Sequence, residues 1–185
     1  DLGETTAGNP VSDDAAMAKI VSSANVACGF HAGDPHAISQ TIAAAQANQV
    51  TVGAHVGYND IAGFGRRFID YAPAELADET LYQIGALEAL CKSHGTSVHY
   101  VKPHGALYNT IGHHEAHAEA VVRALAELGD ELPILVLPDS EIERQAAAAG
   151  FDPVFRHLWD YQLALHEALA AAEDIGCVQF VLAPK

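Results

Sequence analysis

The hydrophobic positions of this chain alternate between short continuous runs and longer stretches with helical spacing. Short apolar runs are typical of buried strands, and apolar positions that repeat every three or four residues are typical of helices. The runs predict strands over 20–28, 50–52, 98–101, 132–137 and 177–183. The helical spacing predicts helices from Pro35, over 73–94, over 114–128, from Ser140 to about Gly150 and over 160–173. This alternation is typical of a parallel α/β fold with right-handed crossovers.

Residues with special backbone preferences mark the ends of several predicted helices. Asp34 suits an N-cap, and Pro35 suits the first helical position, where a missing N–H costs nothing. Gly95 suits the end of the helix over 73–94. Ser140 and Glu143 form a capping-box pattern at the start of another helix. These signals support the helices independently of their hydrophobic spacing.

Two architectures are compatible with this pattern, an open doubly wound sheet and a (β/α) barrel. No glycine-rich nucleotide fingerprint of the GxGxxG or GxxxxGK[ST] type follows a predicted strand. Polar residues follow several successive strands, and a barrel builds its active site from all of its strand-to-helix loops. The pattern therefore favours a barrel, which we expect to be a single domain over 1–185. With 185 residues the chain is shorter than the roughly 250 of a typical barrel.

Charge and composition narrow the class of partner. Nine Lys and Arg stand against 24 Asp and Glu, for a net charge of −15, so we expect no nucleic acid partner, because phosphate binding needs clustered basic residues. We expect neither a membrane span nor a signal peptide, because the chain lacks both an apolar run of about 18 residues and a basic-then-apolar start. Cys28, Cys91 and Cys177 have no paired spacing, which predicts a reduced, cytoplasmic protein without a cysteine zinc site.

Three histidines occupy matching places in the pattern. His31, His55 and His104 each come just after a predicted strand and just before a loop or a helix. Because the carboxyl ends of parallel strands meet at one rim of a barrel, we expect the three side chains to lie close together. Asp1 and Glu4 lie in a DLGE turn that we expect to end a preceding strand. Histidines with carboxylates predict a cluster that binds a metal ion or transfers protons.

Further polar residues extend this prediction. Lys102 lies in an apolar strand, which predicts a partly buried cation that binds a carboxylate or stabilises an oxyanion. The glycine-rich loop over 58–67 is predicted to be mobile and to cover the site, and Arg66 or Arg67 could clamp a carboxylate. By contrast, the histidines at the start of the helix over 114–128 are predicted to lie on a solvated helix face. They are His113, His114 and His117.

Six motifs together resemble the LamB/YcsF family, and the resemblance is continuous from residue 1 to about residue 155. The motifs are DLGE at 1–4, SANVACGFHAGDP at 23–35, GAHVGYND at 53–60, GFGRR at 63–67, LYQIGAL at 81–87 and VKPHGALYN at 101–109. The second and the last of these motifs are specific enough to leave little room for another family.

The resemblance implies a deviant (β/α) barrel of the glycoside hydrolase/deacetylase type. It also implies a subunit of an ATP-dependent 5-oxoprolinase, which opens the lactam of 5-oxoproline to L-glutamate together with partner B and C subunits. Under this hypothesis the catalytic residues are His31, Asp34, His55, Lys102 and His104. The substrate-binding residues are Asp1, Glu4, Asn25, Tyr58, Arg66, Tyr108 and Asn109. A divalent metal ion is expected to bind at Asp1, His31, His55 and His104. A carboxylate, Asp34 or Asp1, is expected to orient a histidine.

The chain departs from the family pattern in two regions. The strand that precedes DLGE in the family is absent, and ETTAGNPVSDDAA matches the following family loop poorly. After residue 155, family segments close to EAFADRxY and CVHGDTP are absent, and the last residues resemble the family's final helix and strand. Because a barrel without these strands would expose apolar edges, we expect that the chain omits segments of a longer protein.

Two other functions stay compatible with the residues. A metal-dependent hydrolase or deacetylase would act on an amide or a sugar without ATP, and bound metal with ATP-independent activity would favour it. A non-catalytic subunit would only present the lactam to its partners, and activity that survives loss of the histidines would favour that interpretation.

Overall fold

A computed structural model describes residues 1–129 and 132–151 of the chain. The predicted helix over 160–173, the predicted strand over 177–183 and Cys177 lie outside the described residues. Within the described residues, no helix is long and apolar enough to cross a membrane.

The core of the fold is a parallel sheet whose strands follow one another in chain order. Strands β1 (Ser23–Ala27), β2 (Thr51–His55) and β3 (Val98–Val101) lie in the order β1-β2-β3. The chain extends this sheet at both edges through parallel bridges from Leu2 to Val26 and from Ile134 to Val101. A doubly wound sheet reverses its strand order at a switch point. The five neighbouring segments in the described residues show no reversal, which is the order of a (β/α) barrel.

Six helices accompany these strands in the described part of the chain. They are α1 (Asp14–Met17), α2 (Pro35–Ala47), α3 (Pro73–Ser93), α4 (Gly105–Thr110), α5 (Glu115–Leu128) and α6 (Glu141–Ala148), with a 3₁₀ turn at Ile61–Gly63. The predicted caps of two helices are confirmed. Asp34 Oδ1 accepts a hydrogen bond of 2.9 Å from the Ala37 N–H at the start of α2. Gly95 follows α3 with φ +74°, a conformation that glycine adopts without strain.

Two sequence predictions need adjustment. The apolar run over 132–137 predicts a continuous strand, but its parallel pairing is confined to Ile134, although Ile134, Leu135 and Val136 are buried. At the start of α6, Ser140 Oγ accepts from the Glu143 N–H at 3.3 Å, as a capping box requires. The Glu143 carboxylate accepts from the N–H of Asp139 and not from that of Ser140, so the box is only half formed.

The helices cover the sheet with apolar faces that the spacing predicted. Ile38 and Ile42 of α2, Ile84 and Leu87 of α3, and Val121 of α5 are at most 4% exposed. Burial of each such side chain contributes about 1.5–3 kcal/mol to folding. These contacts fix the strands, and therefore fix the loops that leave their carboxyl ends.

The N-terminal DLGE turn is fastened to β1 by its backbone. The Leu2 N–H donates to the Asn25 carbonyl at 2.8 Å, and the Ala27 N–H donates to the Leu2 carbonyl at 2.9 Å. Asp14 Oδ2 accepts from the Gly3 N–H at 2.8 Å. This pairing agrees with the expectation that DLGE ends a strand, and it brings Asp1 and Glu4 to the carboxyl end of the sheet.

Candidate active site

The three strand-end histidines come together at the carboxyl end of the sheet. His55 is the last residue of β2, and His31 and His104 lie in the loops after β1 and β3. The rings of His31 and His104 stack with centroids 3.7 Å apart, and the His55 ring lies 4.8 Å from that of His104. All three side chains are buried. The expectation that parallel strands bring these histidines together is therefore confirmed.

Two carboxylates contact the histidines. Glu4 Oε1 lies 3.2 Å from His31 Nε2, and Asp1 Oδ2 lies 3.3 Å from His55 Nε2. The Asn25 amide donates to Asp1 Oδ1 at 2.9 Å and so fixes the orientation of that carboxylate. We call the group of Glu4, His31, His55 and His104 the rim cluster.

Backbone carbonyls determine which nitrogens of two rings carry protons. His55 Nδ1 lies 2.7 Å from the Lys102 carbonyl, and His104 Nε2 lies 2.8 Å from the Phe64 carbonyl. A carbonyl can only accept, so both of these nitrogens donate. The remaining nitrogens, His55 Nε2 and His104 Nδ1, are therefore lone-pair acceptors in the neutral rings. They face each other at 3.0 Å.

The facing lone pairs make the rim cluster a site for a cation. Two imidazole lone pairs at this distance repel each other unless a proton or a metal ion lies between them, and Asp1 adds a carboxylate oxygen to the same place. Burial, with the neighbouring histidines, lowers the pKa of His104 to about 3. Burial also holds the pKa of His55 well below its ordinary value. A second proton on either ring is therefore disfavoured at neutral pH.

The ligand types of the rim cluster suit a divalent transition metal, which binds imidazole nitrogen together with carboxylate oxygen. Glu4, His31, His55 and His104 each offer one ligand atom, and these atoms lie within 4.8 Å of one another. His31 Nδ1 is buried and has no hydrogen-bond partner. The sequence predicted Asp1 as the carboxylate ligand beside the three histidines. In the structure, Glu4 is the carboxylate that groups with them.

The buried surroundings of the site shift the pKa of two charged residues, Glu4 and Lys102. Burial disfavours the Glu4 carboxylate, but the hydrogen bond from His31 and the neighbouring histidines outweigh this and lower the pKa of Glu4. Lys102 lies just beyond β3, with its side chain 17% exposed and Nζ 3.9 Å from Asp1 Oδ1. Burial lowers the pKa of Lys102, and Glu4 offsets part of that effect. Lys102 is thus a largely buried cation beside the rim cluster, as its position in the sequence predicted.

A loop covers the rim cluster. We call residues 58–71 the covering segment. The Phe64 ring lies edge-on to His31 and His104, with centroids 5.7 and 5.4 Å away. Gly65 has φ +62°, and a Cβ at that position would lie 2.6 Å from His31 Cβ. The predicted cover over the site is confirmed, and its close approach requires glycine at position 65.

Comparison with known proteins agrees with this architecture. The chain matches the model of the LamB/YcsF family over residues 1–178. The chain belongs to the LamB/YcsF family. It is 71% identical over 150 residues to the 5-oxoprolinase A subunit of Corynebacterium jeikeium, covering 81% of this chain and 58% of that protein. It is 55% identical over 178 residues to the 5-oxoprolinase A subunit of Kocuria rhizophila, covering 96% of this chain and 71% of that protein.

A solved structure supports the fold of this LamB/YcsF chain. The crystal structure of a lactam utilization protein from Thermus thermophilus aligns with a TM-score of 0.78 and 43% sequence identity. The alignment covers 81% of this chain and 61% of that one. The chain therefore spans about three fifths of the length of several proteins that it matches.

Not every residue that the family resemblance implied lies in the rim cluster. Tyr108 lies beside it, with its ring centroid 5.5 Å from Lys102 Nζ. Arg66 and Asn109 are exposed, and Arg66 Cζ lies 5.7 Å from the Phe64 ring centroid. Arg67 pairs with Asp60 within the covering segment and not with the cluster.

Two further positions are engaged elsewhere. Asp34 caps α2, so of the two carboxylates expected to orient a histidine, Asp1 contacts one and Asp34 does not. Tyr58 is fully buried, and its hydroxyl lies 2.8 Å from His117 Nδ1 on α5. Tyr58 therefore bonds to α5 at the start of the covering segment and not to the three histidines of the rim cluster.

The prediction of a solvated face is wrong for His117, which is 0% exposed, whereas His113 is exposed as expected. The signal for burial was present, because His117 precedes Val121 and Leu125 by four and eight positions, which places all three on one helix face. Gln83 of α3 is a second buried polar residue that the sequence prediction did not include. Its amide exchanges hydrogen bonds of 2.9 and 3.0 Å with the N–H and carbonyl of Gly57, just before the covering segment.

Proposed function

We propose that this chain is part of a 5-oxoprolinase A subunit that opens the lactam of 5-oxoproline to L-glutamate. In this proposal the reaction consumes ATP, takes place in the cytoplasm and requires partner B and C subunits. The observation that carries it is a buried cluster of three histidines and Glu4, next to Lys102, in a chain of the LamB/YcsF family. Relatives that are 55–71% identical bear the name of the 5-oxoprolinase A subunit.

The chemistry of the substrate explains why such a site is needed. A lactam carbonyl resists water at neutral pH, so its carbon must be made more electrophilic before the ring C–N bond can break. Transfer of a phosphoryl group from ATP to the lactam oxygen would do this. Water, with the help of a base, would then add to this carbon, the ring C–N bond would break as the nitrogen takes up a proton, and a second water would release the phosphoryl group as inorganic phosphate. His104 Nδ1 and His55 Nε2 are buried ring nitrogens that carry lone pairs and would serve as the base.

Lys102 and Asp1 would orient the substrate. 5-Oxoproline carries a free carboxylate, and Lys102 provides a largely buried ammonium group beside the rim cluster. An ammonium in this place can bind that carboxylate or the oxyanion that develops on the ring oxygen. Asp1 Oδ2 lies 3.3 Å from His55 Nε2 and places a carboxylate oxygen beside the ring nitrogen that carries the lone pair. Asn25 and Tyr108 would also bind the substrate, because Asn25 contacts Asp1 and the Tyr108 ring contacts Lys102.

The rim cluster would also hold a divalent metal ion through Glu4, His31, His55 and His104. Such an ion supplies Lewis-acid polarisation of a carbonyl or lowers the pKa of a water molecule. The histidines then serve as ligands, and Lys102 keeps its role towards the carboxylate.

The deciding experiment measures glutamate release from 5-oxoproline by the full-length protein, with and without ATP and with and without candidate B and C subunits. We expect release only when ATP and partners are present. In that assembled complex, His104→Ala should abolish turnover, whereas His99→Ala should not, because His99 is exposed on β3, the strand that precedes His104. Near-normal turnover by His104→Ala would refute the role of the histidine. No release in any combination of folded proteins would refute the proposed function.

A second candidate is a metal-dependent amide or sugar hydrolase that does not use ATP. The observation that favours it is the pair of lone-pair nitrogens that face each other at 3.0 Å, an arrangement that suits two ligands of one cation. Metal content close to one ion per chain, together with hydrolysis in the absence of ATP, would select this candidate over the first.

A further inference from the structure

A single buried histidine connects both ends of the covering segment. His117 Nδ1 accepts a hydrogen bond from the Tyr58 hydroxyl at 2.8 Å. His117 Nε2 lies 3.2 Å from the Tyr71 carbonyl and therefore donates to it. Tyr58 and Tyr71 are the first and last residues of the segment, and their rings stack with centroids 5.8 Å apart. The His117 imidazole on α5 is thus hydrogen-bonded to both the first and the last residue of the covering segment.

This histidine is a connector and not a metal ligand. Asp70, His114 and His117 also approach one another closely enough to hold an ion. However, both ring nitrogens of His117 are already engaged by protein atoms, so the ring offers no free lone pair. Burial lowers the pKa of His117, which keeps the ring in the neutral form that both hydrogen bonds require. The Phe68 ring stacks on His117 at 5.7 Å and adds a third contact to the segment.

The middle of the covering segment makes the contact that determines the state of His104. The Phe64 carbonyl accepts from His104 Nε2 at 2.8 Å, and the Gly65 carbonyl accepts from the Ala106 N–H at 2.9 Å. As long as Phe64 stays in place, the proton of neutral His104 resides on Nε2. Its Nδ1 then keeps the lone pair that points at His55. If the segment lifts, His104 loses the contact that selects this tautomer.

We propose that His117 is a positioning residue that latches the covering segment over the rim cluster and thereby keeps the lone pair of His104 on Nδ1. The inference rests on the proposed function only where it concerns turnover. The latch itself is a property of the protein without substrate, and it can be measured as such.

Three substitutions separate the two hydrogen bonds of the latch. His117→Asn keeps an acceptor close to the position of Nδ1 and loses the donor to Tyr71. His117→Gln keeps a donor close to the position of Nε2 and loses the acceptor for Tyr58. His117→Phe keeps an aromatic ring for Phe68 and removes both hydrogen bonds. His113→Asn is the matched control, because His113 is an exposed histidine that precedes α5.

Hydrogen exchange of the full-length protein tests the latch directly. Each hydrogen bond contributes about 1 kcal/mol net, which corresponds to a change of about fivefold in an opening equilibrium. We expect the Ala106 amide, which donates to the Gly65 carbonyl, to exchange about fivefold faster in the Asn and Gln variants and about 30-fold faster in the Phe variant. The control should exchange at the wild-type rate. The amides of β2 should keep their protection in the Asn and Gln variants, which distinguishes local opening from global destabilisation.

The ¹⁵N shifts of the His104 ring test the consequence at the rim cluster. Wild type should show a protonated Nε2, and the variants should show a growing fraction of protonated Nδ1, in the order of their exchange rates. In the assembled complex the same order should appear in kcat, with KM changed by less than kcat.

Two results would overturn the inference. One is unchanged exchange at Ala106 in both single-bond variants. The other is faster exchange with an unchanged His104 tautomer. Failure of the proposed function is distinguishable from both, because in that case wild type releases no glutamate while the exchange and ¹⁵N measurements still separate the variants from the control.

Discussion

The molecule contains two groups of histidines that differ in how their ring nitrogens are used. In the rim cluster, His55 Nε2 and His104 Nδ1 face each other at 3.0 Å, and neither nitrogen carries a proton when the rings are neutral. At the start of α5, both ring nitrogens of His117 are satisfied, one by a hydroxyl and the other by a carbonyl. His117 and the three rim histidines are buried, and both groups contain ring–ring contacts.

This difference shows that burial alone does not identify a chemically active histidine. A buried polar group is normally hydrogen-bonded, and His117 follows that rule. The rim cluster departs from it, because its lone pairs meet without a donor between them. Unsatisfied acceptors in a buried site mark the place where a proton, a metal ion or a substrate is to bind.

The largest effect is expected on turnover. Under the proposed function, His104→Gln should lower glutamate release by about 10²–10⁴-fold, because it removes a ring nitrogen proposed to take part in proton transfer or metal binding. His114→Gln, in the second group, should change release by less than about twofold, since His114 contacts no residue of the rim cluster in the described part of the chain. The assay is glutamate release by the complex. Equal losses in both variants would contradict the contrast.

The next effect concerns metal binding. We expect calorimetric titration of the full-length protein with Zn²⁺ to show one site per chain, and His55→Ala to remove it, since neutral imidazole is a preferred zinc ligand. His114→Ala should leave the titration unchanged. If His114→Ala removes the site and His55→Ala does not, the second group is the metal centre and the contrast is reversed.

A third prediction concerns the cover over the rim cluster. Gly65→Ala should destabilise the protein by about 1–3 kcal/mol, because the added Cβ would lie 2.6 Å from His31 Cβ in a backbone conformation with positive φ. Gly85→Ala is the matched control. Nothing lies within 4 Å of a Cβ at position 85 of α3, so alanine should stabilise the helix by about 0.5–1 kcal/mol. Urea unfolding of both variants measures the two values.

The smallest effect is a dependence of stability on pH in the presence of a chelator. The pKa of His104 is about 3 in the folded protein against 6.5 for an unperturbed histidine. The unfolded chain therefore binds the proton first as the pH falls. Stability from this group is complete above about pH 6.5 and declines towards pH 3. Between pH 7.5 and pH 5.5 the free energy of unfolding should fall by about 1 kcal/mol.

The control for this pH dependence is His104→Gln, which cannot titrate. Its decline over the same interval should be smaller than that of wild type. A substitution of the exposed His36 by Gln should leave the wild-type slope intact. Identical slopes for wild type and His104→Gln would show that His104 does not lose its proton on folding.

The parts of the fold that depend on local signals could be predicted from the sequence. Asp34 and Pro35 predicted the first turn of α2, and the apolar spacing predicted α3 and α5 to within a residue or two. The meeting of His31, His55 and His104 followed from one rule about parallel strands. These predictions succeeded because each rests on a short stretch of chain or on a general property of strand direction.

The contacts between distant segments could not be predicted in the same way. Whether Asp1 or Glu4 contacts His31 depends on the exact path of the turn after Leu2, which no spacing rule describes. The Phe64 carbonyl that selects the tautomer of His104 belongs to a loop without periodicity. His117 was misassigned because three histidines near a helix start suggested solvent, although their spacing from Val121 placed one of them inside.

The covering segment also determines the direction from which a molecule can reach the rim cluster. Phe64 and Gly65 close one side, while Asp1 and Lys102, with side chains 31% and 17% exposed, border the other. A flat five-membered ring that enters there presents only one of its two faces to the histidines. Under the proposed function, the substrate carboxylate would reach Lys102 from that face in one hand of the molecule and would point away in the mirror image. The closed side of the site would then be a source of handedness, and under the proposed function we expect the enantiomers of a chiral lactam to differ as substrates.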